Sequence, residues 1–297
     1  MESSGFNLPP GAKTDRQQSK PRLIYESRNG YCRIYSAEIN GRRIALKALK
    51  PDYADSPVHI DLLRKEYEIG HTLYHPAIAA TLGFQSFDGI GPAIIMEFVD
   101  GLTLREYLDN HGSFSKEKAM AVVEQMCDAL TYLHSHQLIH RDLKPSNIML
   151  THDGRYVKII DFGLSDGTAF TDFKYPGGTQ HYSAPEQLDQ GIDNDPRIDI
   201  FSLGIIMHEI CPGAGGGYRR TARECCRRNP EQRPAQISEI IPLIRRYDKI
   251  KQSWLTAIAI CIFIGSVWMS LYFVANRTHI TAEKTTAAND LMTDTAS

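Results

Sequence analysis

The sequence predicts an α+β chain: a small strand-rich lobe, a larger helical lobe, and one apolar helix near the C-terminus. Three observations carry this. Alternating apolar residues and turn signals crowd residues 21–99. Helical periodicity dominates residues 100–249. Residues 255–275, LTAIAICIFIGSVWMSLYFVA, carry no formal charge. As a helix rising 1.5 Å per residue, such a run spans about 30 Å, the thickness of a hydrocarbon core.

Residues 1–20 are rich in Ser, Gly, Pro, Gln and Lys and lack the apolar run of a signal-peptide core, so they read as a loose cytosolic tail. Strands follow at 23–25, 32–39 and 43–48, with Asn40-Gly41 as the hairpin turn. A helix is expected over 59–73, then strands over 79–85 and 93–98. The second lobe reads as helices over 104–110, 116–135, 199–209 and 236–247, with a short β pair at 148–150 and 157–160. The cleft between the lobes is the natural binding site.

Arg245, Arg246, Lys249 and Lys251 precede the apolar run, with 250–254 as a juxtamembrane step; only Arg277 and Lys284 follow it. That asymmetry keeps the lobes in the cytosol and sends the tail 276–297 outside. Trp254, Trp268 and Tyr272 suit interfacial positions.

Composition narrows the function classes. With 42% hydrophobic and 23% charged residues, the 297-residue chain is neither collagen-like nor wholly disordered. Lys plus Arg (33) against Asp plus Glu (35) gives a formal charge of −2, and no nucleic-acid partner is expected. Six cysteines are too few and scattered for a disulfide framework.

The chemistry concentrates in two blocks. His140-Arg141-Asp142-Leu143-Lys144-Pro145-Ser146-Asn147 is followed by Asp161-Phe162-Gly163. Both adjoin short strands that can hold carboxylates rigidly. Two acids and an amide suit Mg2+, which takes few protein oxygens and fills its shell from phosphates and water.

These blocks, in this order, resemble the eukaryotic-type serine/threonine protein kinases over Leu23 to Tyr247. The resemblance implies a bilobal protein-kinase-like domain with a shortened C-terminal lobe, ATP as nucleotide, and Mg2+ (Mn2+ as the alternative ion). Ile44-Ala45-Leu46-Lys47 resembles the lysine motif of the third strand, and Glu66 is the implied ion-pair partner of Lys47; Glu68 would point off that face. Asp142 would orient the substrate hydroxyl and accept its proton. Lys144 would neutralise the transferring phosphoryl group, and Asp161 and Asn147 would hold metal ions. Thr179 would line the hydroxyl pocket. Met96 resembles the gatekeeper, Glu97-Phe98-Val99 the hinge, and Ile34, Ala45 and Met149 the adenine walls.

Structural roles are implied as well. Asp199 would take backbone donors from the catalytic loop, Glu186 would form a buried pair with Arg233, and His140 would pack. Arg141 would meet an anion from the activation segment, where Thr168 and Thr171 are the preferred phosphorylation sites.

The sequence also departs from the family. Ser27, Asn29 and Cys32 stand in the three places of the glycine-rich loop, with Gly30 able to bend it late and Cys32 expected to crowd the phosphates. Gly70 follows Glu66 by one turn, where kinases pack an apolar side chain; the reading is a weakened helix with lost packing. Between Glu209 and Cys225 a glycine-rich stretch replaces a surface helix and its loops, and Cys225-Cys226 reads as local packing. The eroded loop and compact lobe are similar to bacterial members, which would place the chain at the inner membrane.

The leading reading is an active kinase whose substrate is a protein Ser or Thr, with the bilayer as partner through 255–275. A cytosolic activator or a homodimer would complete the partner set. The alternative is a nucleotide-binding pseudokinase acting as a membrane-anchored scaffold.

Overall fold

The computed structural model describes residues 19–27, 30–151, 154–161, 181–188 and 195–294. Its first lobe is a five-stranded antiparallel sheet ordered β1-β2-β3-β5-β4. The strands are β1 (Arg22–Glu26), β2 (Cys32–Ile39), β3 (Arg42–Leu49), β4 (Thr81–Phe87) and β5 (Gly91–Glu97). Asn40 and Gly41, at φ 54° and 75°, form the left-handed pair that a two-residue hairpin turn matched to strand twist requires. Ser19 and Lys20, read from the sequence as part of the loose tail, are among the described residues. Ser19 already bonds to β2, its amide donating to the Glu38 carbonyl and its Oγ accepting from the Glu38 amide.

Strand β3 is buried almost throughout because both of its faces are covered. Ile44, Leu46 and Ala48 pack with Ala37, Phe87, Ala93 and Ile95 on one side. The alternate residues Ala45, Lys47 and Leu49 face the side occupied by α1 (Pro57–His71), where Leu63, Ile94 and Met96 complete a second cluster. The helix starts two residues before the expected position because Pro57 fits its first turn, with φ already set.

Gly70 corrects the reading of a lost contact. A Cβ there would lie 2.4 Å from Thr81 Oγ1, so the glycine lets α1 sit directly on β4. Gly70→Leu is therefore expected to lower the melting temperature. Overpacking of about 1–3 kcal/mol outweighs the roughly 1 kcal/mol gained in helix propensity. Thr81→Ala in the same chain should recover part of the loss. A Gly70→Leu chain as stable as the parent in a thermal melt would contradict this packing.

The second lobe opens with β6 (Gly101–Thr103), which joins β7 (Ile148–Thr151) and β8 (Val157–Ile159) in a three-stranded sheet. Helix α2 (Leu104–His111) begins with a reciprocal capping box between Thr103 and Glu106. Helix α3 (Lys116–Ser135) is capped by Ser115. Its buried residues Val122, Val123, Met126, Ala129, Leu130 and Leu133 recur at helical spacing. Two further helices are α4 (Pro185–Leu188) and the central α5 (Arg197–Ile210).

The glycine-rich stretch after α5 was expected to carry no helix. Instead α6 spans Gly216–Cys225. Packing supplies what propensity lacks: Tyr218 is buried and its hydroxyl donates to the Met207 carbonyl at 3.0 Å. Gly204 of α5 permits the close approach, since a Cβ there would lie 2.6 Å from Cys225 Cβ. Cys225 is thus a packing residue.

The residues up to Leu243 form one compact unit and those from Ile244 a second. The described residues of the second belong to α7, a continuous helix over Ile240–Asp294. The helix continues beyond 275 into the short tail: no Gly or Pro occurs in 276–294, and extending an existing helix is far cheaper than nucleating one. Among the described residues it is one helix long and apolar enough to cross a membrane. Ile262, Phe263 and Trp268 are largely exposed along it, a surface that water does not suit.

Candidate active site

Lys47 projects from β3 on the α1 side of the sheet and is almost fully buried. Its Nζ lies 2.6 Å from Glu66 Oε1 and 2.7 Å from Asp161 Oδ1. A strand residue, a helix residue and Asp161, two residues beyond β8, thus meet at the Lys47 ammonium. Burial works to lower the Lys47 pKa, but the Asp161 and Glu66 carboxylates outweigh it and hold the amine charged, well above its usual range. Glu66 moves from 4.5 to about 7, chiefly because burial disfavours its anion; Lys47 opposes that rise and Asp161 adds to it.

This arrangement has a pH signature. A carboxylate whose pKa is raised on folding contributes stability below pH 4.5 that is lost as pH rises through about 7. The nucleotide-free chain should lose thermal stability across that window, and Glu66→Gln should flatten the loss. Parallel melting curves for the two chains from pH 4.5 to 7 would refute the assignment.

The catalytic-loop residues converge beside this cluster in sequence order. Lys144 Nζ donates to Asp142 Oδ2 at 2.6 Å. The Asn147 side-chain amide donates to the Asp142 carbonyl at 2.9 Å and to Asp142 Oδ2 at 3.1 Å. Its nitrogen is thereby spent on the loop, which leaves the amide oxygen to serve a cation. Asp161 (φ 73°) and Arg141 (φ 64°) both adopt left-handed backbone, which is uncommon outside glycine and concentrates at functional sites.

The strained loop is held from below by Asp199, near the start of α5. Its Oδ2 accepts the His140 amide at 2.9 Å and its Oδ1 the Arg141 amide at 2.8 Å. Burial alone would raise the Asp199 pKa, but His134 at 2.8 Å, His140 and the backbone donors hold it below the usual range. Gln187 of α4 donates to the Arg141 carbonyl at 3.0 Å. The His140 ring is buried.

Arg233 forks onto Glu186 at 2.5 and 2.8 Å. The pair is less enclosed than expected: the Arg233 side chain is fully buried, whereas Glu186 keeps 26% exposure.

Of the residues expected to frame the adenine, Met96 is buried opposite Ala45 in the sheet register, and Ile34 pairs with Lys47. Val99 is buried just beyond β5, and Met149 sits on β7 opposite Thr103 and Lys158. Ser27 Oγ accepts from the Gly30 amide at 2.8 Å, closing the loop turn. Cys32 is the first residue of β2. It packs with Tyr31 against the Leu49, Leu63, Ile94 and Met96 cluster, and burial pushes its thiol up to about 12.

Phe162, Gly163, Thr168, Thr171, Thr179 and Asn29 lie outside the described residues.

Two contributors escape sequence reasoning. Lys158 of β8 donates to Glu97 Oε2 at 2.9 Å, and the same oxygen accepts the Ala80 amide at 3.1 Å, tying the end of β5 to the second lobe. His134 orients Asp199. Neither has a local signal, because each partner lies tens of residues away.

A β-lobe lysine pinned between two carboxylates, over a strained loop carrying Asp, Lys and Asn, defines a nucleotide-dependent phosphotransferase architecture. The chain belongs to the protein kinase family: the model of the protein kinase domain matches residues 28–232. It is 34% identical over 189 residues to the serine/threonine-protein kinase PrkC of Bacillus subtilis, covering 62% of this chain and 29% of that protein. It is 37% identical over 180 residues to the serine/threonine-protein kinase PknB of Mycolicibacterium smegmatis, covering 58% and 28%. With the probable serine/threonine-protein kinase SCO3848 of Streptomyces coelicolor it shares 34% identity over 229 residues, covering 72% and 34%. The aligned part thus spans about a third of the length of these curated relatives. The kinase domain is of the bacterial serine/threonine type.

Proposed function

We propose that this chain transfers the terminal phosphoryl group of ATP to serine or threonine hydroxyls of proteins at the cytosolic face of a membrane. The observation that carries this reading is the meeting of Lys47, Glu66 and Asp161 beside Asp142, Lys144 and Asn147. Lys47, held charged and aimed by Glu66, binds and orients the nucleotide phosphates. Asp142 accepts the hydroxyl proton as the nucleophile attacks. Lys144, touching Asp142, offsets charge on the transferring group.

The donor set fits a hard divalent ion: Asp161 supplies carboxylate oxygen and Asn147 amide oxygen, in a site with a cation already at hand. When bound, Mg2+ or Mn2+ supplies the positive charge that neutralises the polyphosphate. Thr179 is assigned to the hydroxyl pocket, and Thr168 and Thr171 are assigned as modification sites that order the activation segment. Ile34, Ala45, Met96, Glu97, Val99 and Met149 frame the adenine.

Residues 255–275 are assigned as a single membrane span with the kinase domain cytosolic, supported by the exposed apolar face of α7 and the basic residues before it. In a bacterial cell this is the inner membrane.

The full chain incubated with Mg2+, radiolabelled ATP and a generic Ser/Thr substrate protein tests the activity. Incorporation into serine or threonine is expected. Nucleotide binding with no transfer by the phosphatase-untreated chain would replace this reading with the scaffold one.

A further inference from the structure

The outward face of α6 is a block of cations. Tyr218, Thr221, Ala222 and Cys225 are buried against the lobe. Arg219, Arg220 and Arg223 stand on the opposite side of the same helix and are exposed. Arg227 and Arg228 continue the block directly beyond the helix end, also exposed. Glu224 is the one acid between Arg219 and Arg228, and it meets Arg220 at 3.3 Å. The field reaches inward: burial first, then Arg223 and Arg219, hold the His208 imidazole below its usual pKa.

A solvated face ordinarily intersperses both signs. This one is nearly single-signed in a chain whose net formal charge is −2. The sequence turns basic again at Arg245, Arg246, Lys249 and Lys251, immediately before the apolar run at Leu255. A short covalent tether to a bilayer holds the domain at high effective concentration beside it, so a modest electrostatic attraction is enough to dock it.

We propose that the arginine face of α6, with Arg227 and Arg228, docks on anionic lipid headgroups and fixes how the kinase domain stands on its membrane. The proposal rests on the membrane reading above. The partner is a lipid surface, identified by complementary charge and by the tether.

The test uses the full chain reconstituted in nanodiscs of phosphatidylcholine, with or without phosphatidylglycerol. Phenylglyoxal labelling is read residue by residue by mass spectrometry. Labelling of Arg219, Arg220, Arg223, Arg227 and Arg228 should fall severalfold in the anionic discs and recover in high salt, while exposed Arg42 of β3 stays unchanged. The triple variant R219Q/R220Q/R223Q should lose the protection of Arg227 and Arg228. Equal labelling in both discs would overturn the proposal. So would protection that is already complete in neutral discs, which would instead indicate an acidic protein surface. Alkaline carbonate extraction separates the two readings: a chain released by carbonate refutes the membrane span. Lipid-dependent protection of such a released chain on phosphatidylglycerol vesicles would still uphold docking.

Discussion

Asp142→Asn is expected to slow phosphoryl transfer by about 10²–10⁴-fold, the usual contribution of a positioned general base. The amide keeps the shape of the carboxylate but cannot accept the hydroxyl proton. The Lys144 contact at 2.6 Å and the Asn147 contact at 3.1 Å both end on Asp142 Oδ2, so the substitution also unpairs a neighbouring ammonium. Nucleotide binding should change little, because Lys47, Glu66 and Asp161 form a separate cluster. Single-turnover phosphorylation beside a nucleotide-binding titration distinguishes the two effects. A turnover within tenfold of the parent would remove Asp142 from the chemistry.

Arg233→Ala should have the largest effect on stability. Its fully buried guanidinium donates to Glu186 and to the carbonyls of Arg227, Arg228 and Arg197, at 2.7 to 3.1 Å for the three carbonyls, and lies 4.9 Å from the Phe201 ring. Truncation strands a largely enclosed carboxylate and leaves those acceptors without their donor. The cost is about 3–5 kcal/mol, or on the order of 10 °C in melting temperature for a domain of this size. Lysine should not rescue, since one ammonium cannot reproduce the forked geometry. Glu186→Ala combined with Arg233→Ala should cost less than the two single changes added together, because the orphaned charge is gone. Calorimetry showing a shift of only a degree or two for Arg233→Ala would rule out this anchoring role.

The chemistry of the site was legible because its residues sit in short, ordered strings. Asp142, Lys144 and Asn147 are separated by a few residues and contact one another within the loop. The strand and helix order was legible for a similar reason: period-two and period-3.6 patterns and turn signals such as Asn40-Gly41 are properties of neighbouring residues. Where the reading went astray, the deciding contacts were distant. Gly70 looks like a defect until Thr81 occupies its space, and the glycines before Tyr218 look helix-breaking until α5 offers a surface with Gly204 in it.

The sequence by itself determined the two lobes, the identity of the charged residues available for phosphoryl transfer, and one run apolar enough for a bilayer. Tertiary structure decided that Lys47 meets Glu66 and Asp161 and that burial raises the Glu66 pKa, how Glu97 and Lys158 tie the end of β5 to the second lobe, and which face of α6 presents its arginines. The reason is physical: local strings fix backbone preference and side-chain chemistry. Burial, pKa and exposure depend on what distant segments bring within a few ångströms.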